Sequence, residues 1–410
     1  MSPMSSPFEK PSGPAATPAH FLSDFGGIYA LNAVVGFLFA CTGPVAIILS
    51  TGARGGLSEA DLTSWIFGSF FLNGFLTMAL SMYYRQPLVL FWTIPGAVLV
   101  GPALGHLNFP EVIGAFLATG VLMLVLGLTG WVRRTMDAIP LPIVMAMVAG
   151  VFLRFGLDLV RAFHEQLSVA LPMTLAFVAL SVWPRVARVL PPLVGALVAG
   201  AVAVWLLGAY QAPTGELFSV VQPQLYTPQF SWAAMFELVV PLAITVLVVQ
   251  NGQGVAILRN HGHQPPVNAI TIACGVGAFV TGLFGAVSTC LTGPVNALIS
   301  SSGQKERQYT AAVFVALLGL GFGLFAPFFT RLMLAMPPAF MATLAGLAML
   351  RVLQSAFSSA FTSTPKDQAT LGALVCFLVT VADQPILGIG AAFWGLVLGW
   401  LTTRMLERQR

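Results

Sequence analysis

Residues 88–104, LVLFWTIPGAVLVGPAL, are apolar enough for a bilayer core but carry Pro95-Gly96 in their middle. Proline removes a backbone donor and clashes with the preceding turn, so it is tolerated best in the first turn of a helix. Ahead of the break stand Val89, Phe91, Trp92 and Thr93, aromatic or β-branched residues of the kind strands prefer. As one helix the stretch covers about 25 Å, short of a hydrocarbon core of about 30 Å. As about six extended residues followed by a helix of about eleven, it covers roughly 36 Å. The spacing predicts a short strand running to the midplane, then a half-helix. A second stretch, AVSTCLTGPVNALISS (286–301), repeats the pattern around Gly293-Pro294, preceded by Val287, Thr289 and Thr292. A proline-kinked continuous helix is the competing reading of either stretch alone. The same interruption in two stretches favours the broken form.

The rest of the chain agrees with a membrane setting. Of 410 residues, 8% are Asp, Glu, Lys or Arg, 57% are hydrophobic and 31 are Phe. Soluble domains carry about 25% charged residues. A chain this poor in charge cannot coat a soluble fold, which excludes a soluble enzyme, a nucleic-acid binder and a disordered scaffold. The net charge of +4 is small and is expected to set topology. Cys41, Cys274, Cys290 and Cys376 sit in or beside apolar runs without metal-type spacing, so neither disulfides nor a metal nor any cofactor is expected. The first 20 residues hold five prolines and no apolar core. They do not read as a secretory signal, and 1–25 is expected to be a flexible cytoplasmic tail.

Twelve further runs fit a membrane helix: 26–50, 62–83, 110–131, 138–157, 169–183, 190–209, 235–258, 267–284, 309–327, 338–361, 368–382 and 385–403. With the two interrupted stretches, the third and the tenth, the expectation is an all-α multi-pass membrane protein of 14 transmembrane segments. With the N-terminus inside, the cytoplasmic segments hold Lys10, Arg85, Arg133, Arg134, Arg185, Arg188, Arg259, Lys305, Arg307, Lys366, Arg404, Arg408 and Arg410. The outer loops hold Arg54, Arg154, Arg161 and Arg331, and Arg351 falls within a span. Dropping one span would mix the two sets, so both termini are expected in the cytoplasm.

Fourteen divides into seven and seven, and an odd number per half makes the second half enter from the opposite side. That is an inverted repeat, as in many secondary transporters. The run 43–48, GPVAII, also resembles 253–258, QGVAIL. Backbone that is not helical at mid-membrane must line a cavity or be covered by protein. Two half-helix N-termini meeting at the midplane bring unpaired N–H groups and positive dipole ends together, an anion cradle without Lys or Arg. The cradle is expected to consist of Thr93, Pro95, Gly96 and Ala97 facing Thr292, Gly293, Pro294 and Asn296, with Gln250, Asn251 and Gln253 of the eighth span beside them. Amides at membrane depth are costly unless paired, so each is either a ligand contact or a bond between helices. Phe37, Phe39, Phe91 and Trp92 are candidates to hold an apolar ligand body. Glu237, Asp24 and Asp383 are candidates for a coupling proton, Glu237 being the best placed. Against each stands the plainer reading of an interfacial or paired residue. No nucleophile–base pair and no His/carboxylate cluster suggests an enzyme.

The runs GFLFACTGPVAIIL (36–49), FWTIPG (91–96), VVQNGQGVAILRNHGHQPPVN (248–268) and LTGPVNALISSSG (291–303) resemble the BenE benzoate transporter family, and the resemblance extends over about residues 25–405. It implies proton-coupled uptake of benzoate across a bacterial inner membrane. It also implies the fold of uracil permeases and sulfate-type anion transporters. Carried onto this chain, that fold gives a core domain of 26–131 and 233–327 and a gate domain of 138–210 and 337–406, often dimeric through the gate. Uracil permeases place a carboxylate in the eighth span, where this chain has Asn251 and Gln253. Neutral amides suit an anionic cargo better.

The expected function is therefore a secondary transporter importing an aromatic monocarboxylate with a proton, the core moving against the gate. A nucleobase or inorganic-anion transporter of the same fold, and an anion channel on the same scaffold, are the alternatives. The expected partners are benzoate, a proton and the lipid bilayer, with no nucleic acid.

Overall fold

The computed structural model describes residues 8–11, 13–132, 140–187, 190–210, 218–301, 303–362 and 369–407. Arg133, Arg134, Arg188, Lys366, Arg408 and Arg410, used above for orientation, lie outside the described residues, as does the boundary at 138.

The chain is mainly helical. A short α1 (Pro18–Asp24) precedes α2 (Gly27–Arg54), α3 (Glu59–Tyr84), strand β1 (Leu90–Trp92), α4 (Ile94–Ala103) and α5 (Phe109–Thr129). There follow α6 (Leu141–Glu165), α7 (Leu167–Val182) and α8 (Pro192–Leu206). The second half holds α9 (Trp232–Asn260), α10 (Val267–Gly282), strand β2 (Thr289–Leu291), α11 (Gly293–Ile299) and α12 (Tyr309–Leu324). It ends with α13 (Ala326–Leu334), α14 (Pro338–Phe361), α15 (Thr370–Ala382) and α16 (Ala391–Thr402). Among the described residues, seven helices are long and apolar enough to cross a membrane. Large apolar side chains face outward, as on Trp205 (75% exposed) and Leu206 (70%) of α8, the reverse of a soluble surface.

Local chemistry sets the helix ends. Before α3, Asp61 N–H donates to Ser58 Oγ at 3.2 Å and Ser58 N–H to Asp61 Oδ2 at 2.8 Å, a capping box. Asn108 and Glu111 make the same exchange before α5, and Gly130, at φ 68°, ends that helix in the left-handed region. In α2 the helix breaks at Thr42 (φ −99°, ψ −98°), ahead of Gly43-Pro44, and the Thr42 hydroxyl turns back to the Leu38 carbonyl at 2.8 Å.

Several expectations need correction. The N-terminal stretch read as flexible is folded where described. Thr17 and His20 form a capping box for α1, Ala16 N–H donates to the Met82 carbonyl at 2.8 Å, and Glu9 caps the start of α10 through Asn268 and Ala269 N–H at 2.9 and 3.0 Å. Of its described prolines, Pro18 stands in the first turn of α1. The run 138–157 continues as helix to Glu165; its last turns carry Asp158 and Arg161, whose charge ends the apolar run but not the helix. The last run starts at Ala391, not 385. Ile386 and Ile389 close a tight turn through Leu387 (φ 55°) and Gly388 (φ 73°). The short helix α13, not foreseen, buries Ala326, Pro327, Thr330 and Met333 along one side. The Gln250-Asn251 cluster, polar residues within an otherwise apolar span, lies in continuous helix. Residues Thr245–Asn251 widen into π-helical turns, a distortion that helices often carry at functional sites.

Packing sorts the helices into two groups. Helices α2, α3, α4, α5, α9, α10, α11 and α12 pack with one another and with the strands, while α6, α7, α8, α14, α15 and α16 pack together. The groups meet along a seam where the second half of α2 lies against α14, so close that a methyl at Gly43 would collide with Ala348.

Candidate functional site

The two interrupted stretches meet. Strands β1 and β2 pair antiparallel with Leu90 opposite Leu291, Phe91 opposite Cys290 and Trp92 opposite Thr289. Two further bonds, Thr93 N–H to the Ser288 carbonyl and Thr292 N–H to the Val89 carbonyl, both 3.0 Å, extend the ribbon at each end. Helix α4 leaves from Thr93 at one end and α11 from Thr292 at the other. Thr93 and Thr292 stand four register positions apart, about 13 Å along the ribbon. The two helices therefore start at opposite ends of the ribbon.

A two-stranded ribbon has two bare edges, and inside a membrane each must be satisfied by protein. On the outer edge of β1, the Thr77 hydroxyl accepts Leu90 N–H and donates to the Leu90 carbonyl, and Ser81 does the same for Leu88, at 3.2 Å each way. Four helical residues rise about 6 Å and two strand residues about 6.8 Å, so hydroxyls spaced i, i+4 match alternate strand residues. Asn73, one turn earlier, accepts from Thr289 Oγ1 at 2.8 Å. On the outer edge of β2, Asn251 Oδ1 accepts Leu291 N–H at 2.7 Å. The opposed pair Leu90 and Leu291 is thus held from outside by α3 and by α9.

The expected cradle residues divide by what their side chains already do. Thr93 caps α4, accepting Gly96 N–H at 3.2 Å, and its hydroxyl donates to Thr245 Oγ1 of α9 at 3.2 Å. Pro95, Gly96 and Ala97 form the buried first turn of α4. Asn296 is fully engaged. Its Oδ1 accepts Val89 N–H at 3.0 Å, and its Nδ2 donates to the Val89 and Thr292 carbonyls at 3.2 and 2.8 Å. Asn251 likewise holds Leu291 and contacts Cys274 Sγ at 3.5 Å. By contrast, Thr292 Oγ1 and Gln250 Oε1 are buried without a hydrogen-bond partner, and no side chain caps α11. Gln253 lies against Gly293, where a methyl would come within 2.6 Å of its Oε1. Pro294 occupies the first turn of α11. An orphaned buried polar atom is costly, and these two mark the end of the ribbon at which α9 and α11 run side by side.

Aromatic rings pack around the ribbon. Phe70 lies 4.7 Å from Trp92, 5.0 Å from Phe91 and 4.6 Å from Phe322, and Phe37 is 5.8 Å from Phe322. The Trp92 indole N–H is also buried without a partner. Phe39 is half-buried in α2.

A cleft of about 500 Å³ opens along the seam between the two packing groups. Its lining includes Ser50, Arg54, Val98 and Glu237 from one group and Arg154 and Asp383 from the other. It reaches α4 at Val98, the residue after Ala97, and none of the eleven expected cradle residues lines it. Arg54 pairs across it with Asp158 at 2.8 Å, and Arg161 meets the same carboxylate at 3.1 Å. The proton candidates lie far apart in kind. Asp24 is braced on Arg85 (3.0 Å) and the Tyr309 hydroxyl (2.8 Å). Asp383 is largely exposed and 3.4 Å from Arg154. Glu237 is buried, 2.8 Å from His106 Nε2, and accepts the Gly390 N–H.

Sequence reasoning missed Thr77, Ser81, Asn73, Thr245 and His106. The first three left a signal, polar residues at 73, 77 and 81 within an apolar span. Nothing in the sequence ties His106 to Glu237, 131 residues away.

Comparison with known proteins follows the same lines. The family model described as "BenE: Benzoate membrane transport protein" matches residues 27–405. The chain is 32% identical over 373 residues to "Inner membrane protein YdcO" of Escherichia coli (strain K12), covering 89% of this chain and 93% of that one. It is 26% identical over 392 residues to a "Benzoate membrane transport protein" of Acinetobacter baylyi, covering 93% and 97%. Among solved structures, the transmembrane domain of the cyanobacterial bicarbonate transporter BicA aligns with a TM-score of 0.61 at 15% identity, over 94% of this chain and 99% of that one. SLC26A9 aligns at 0.66 and 12% identity, over 95% and 67%. These two likenesses concern the fold.

Proposed function

The chain belongs to the BenE family of benzoate membrane transport proteins, a multi-pass membrane transporter, and on that premise we propose that it imports benzoate or a similar aromatic monocarboxylate together with a proton across a bacterial inner membrane. The observation that carries the site is the orphaned Thr292 hydroxyl, a free donor beside the uncapped start of α11. The carboxylate docks there, taking hydrogen bonds from the Thr292 hydroxyl and from the amide groups of Gln250 and Gln253, with the ring against the aromatic side chains of α2 and β1. Asn251, Asn296 and Thr93 act one step back by fixing the ribbon from which these groups project. Pro95, Gly96, Ala97, Gly293 and Pro294 shape the helix starts, whose positive ends face the anion.

In this reading the ribbon lies at mid-membrane, the chain crosses 14 times as two inverted halves, and both termini are cytoplasmic. The first packing group with the ribbon is the moving core and the second is the gate. The cleft holding Arg54, Arg154 and Arg161 then opens to the outside. A proton entering with the anion offsets its charge, which the negative interior potential opposes. Of the three candidate carboxylates, Glu237 takes the proton, being buried in the seam that must part.

Uptake of labelled benzoate into proteoliposomes with an inward proton gradient tests this. Uptake should rise with the gradient and be competed by unlabelled benzoate but not by uracil, sulfate or bicarbonate. Competition by one of those instead would assign the fold a different cargo, and benzoate current without pH dependence would mark a channel.

A further inference from the structure

Glu237 touches both packing groups at once. Its Oε2 lies 2.8 Å from His106 Nε2, on the loop between α4 and α5, and its carboxylate accepts the N–H of Gly390, the residue before α16 across the seam. A methyl on Gly390 would run into that carboxylate, so the approach is close. The His106 side chain is 31% exposed and that of Glu237 only 6%, and Glu237 lines the 500 Å³ cleft. The imidazole thus stands between solvent and a buried carboxylate, and the carboxylate fastens one group to the other.

We propose that the partly exposed His106 delivers protons from external solvent to Glu237, and that the His106–Glu237–Gly390 contact is a clasp whose opening is set by external pH. The proposal rests on the transport reading, because the clasp matters only if the seam parts. The transfer balances within the dyad. Nδ1, the ring nitrogen not bonded to Glu237, takes a proton from external solvent while the Nε2 proton passes to Glu237 Oε2. The ring ends neutral as its other tautomer and the carboxylate ends neutral. A neutral carboxyl is a weaker acceptor than a carboxylate, so the bond to Gly390 N–H loses its charge assistance and the seam is released. The other charged groups facing the dyad are Asp383 with its partner Arg154 across the cleft, and Arg54, Arg161 and Asp158 at its mouth. On the dyad's own side Glu111 is tied into the cap of α5. These exposed or mutually paired charges leave His106 as the titratable group in direct contact with Glu237.

The experiment places a reporter thiol in the cleft, Ser50→Cys in a Cys41→Ser background, in proteoliposomes. Its labelling by a membrane-impermeant maleimide is followed at external pH about 5.5 and 8, normalised to the same thiol in the denatured chain. Labelling should be about fivefold faster at the acid pH. In Glu237→Gln it should be fast at both pH values, and in His106→Gln the acid response should be lost. Counterflow of labelled against unlabelled benzoate at equal pH on both sides shows that the parent and His106→Gln are folded and competent, and size exclusion with thermal unfolding in detergent shows that Glu237→Gln is folded. Normal counterflow with a labelling rate indifferent to pH in the parent, or an unchanged acid response in His106→Gln, would overturn the clasp and leave benzoate transport standing. Absence of benzoate counterflow in the parent would instead sink the cargo assignment.

Discussion

The Thr77 hydroxyl donates to the carbonyl of Leu90 and accepts its N–H, both at 2.9 Å, so one side chain of α3 completes the edge of β1. Thr77→Val keeps the shape and removes both bonds, stranding two buried backbone groups. Each should cost about 1–3 kcal/mol. Thermal unfolding in detergent should drop accordingly, and Thr77→Ser should restore it. A valine variant as stable as the parent would show that the ribbon edge needs no such partner.

Thr292→Val makes the opposite prediction. The hydroxyl has no protein partner, so stability should hold or rise slightly. Benzoate should bind about 5–20-fold more weakly, the loss of one hydrogen bond to a charged group. Titration of the purified protein with benzoate measures this, and unchanged affinity would move the carboxylate elsewhere.

Gly293→Ala tests the same place through shape. Its methyl would come within 2.6 Å of Gln253 Oε1 and push that amide out of position. Uptake should fall at least tenfold while the protein still elutes from size exclusion as the parent does. Normal uptake would mean that Gln253 is not needed where it lies.

Asn296→Asp should fail by unfolding rather than by repelling cargo. The acid would lose the two N–H donations to the Val89 and Thr292 carbonyls and set an anion against both, at 0% exposure. A loss of roughly 2–4 kcal/mol follows. A stable variant with weakened benzoate binding would return Asn296 to the list of direct contacts.

His263 supplies a pH dependence of stability. It is buried in the loop after α9 with Nε2 2.7 Å from Gln308 Oε1, and burial lowers its affinity for a proton below that of a free histidine. The unfolded chain then binds the extra proton first, so stability is present above the free-histidine range, near 6.5, and is lost as pH falls through and below it. The melting temperature should decline from about pH 7.5 to 5.5, and His263→Gln should flatten that slope. A slope equal to the parent's would place the titration elsewhere.

Much of this architecture was written in the residues. Proline and glycine in the middle of an apolar run announced the strand-to-helix break at both Pro95 and Pro294, since few other backbones accommodate them there. Hydrophobic run lengths located most helices to within a few residues, the end of α6 at Glu165 and the start of α16 at Ala391 being the larger misses. Side-chain assignment was less legible. Asn251, Gln250 and Asn296 are alike as buried amides in sequence, and only the path of Val89 and Leu291 decides which of them is already satisfied. The Glu237–His106 contact joins a helix to a distant loop and has no local signature at all.

The two halves of the ribbon are made at different times. Leu90 leaves the ribosome some two hundred residues before Leu291, its opposite number in the pair. An unpaired strand edge has no place in lipid, so the earlier half must wait somewhere tolerable. Ser81 and Thr77 belong to the helix synthesised immediately before, and they bond Leu88 and Leu90 without help from anything downstream. The first half thus carries its own temporary shelter, which lets membrane insertion proceed in chain order and leaves a single edge open for the second half to dock on.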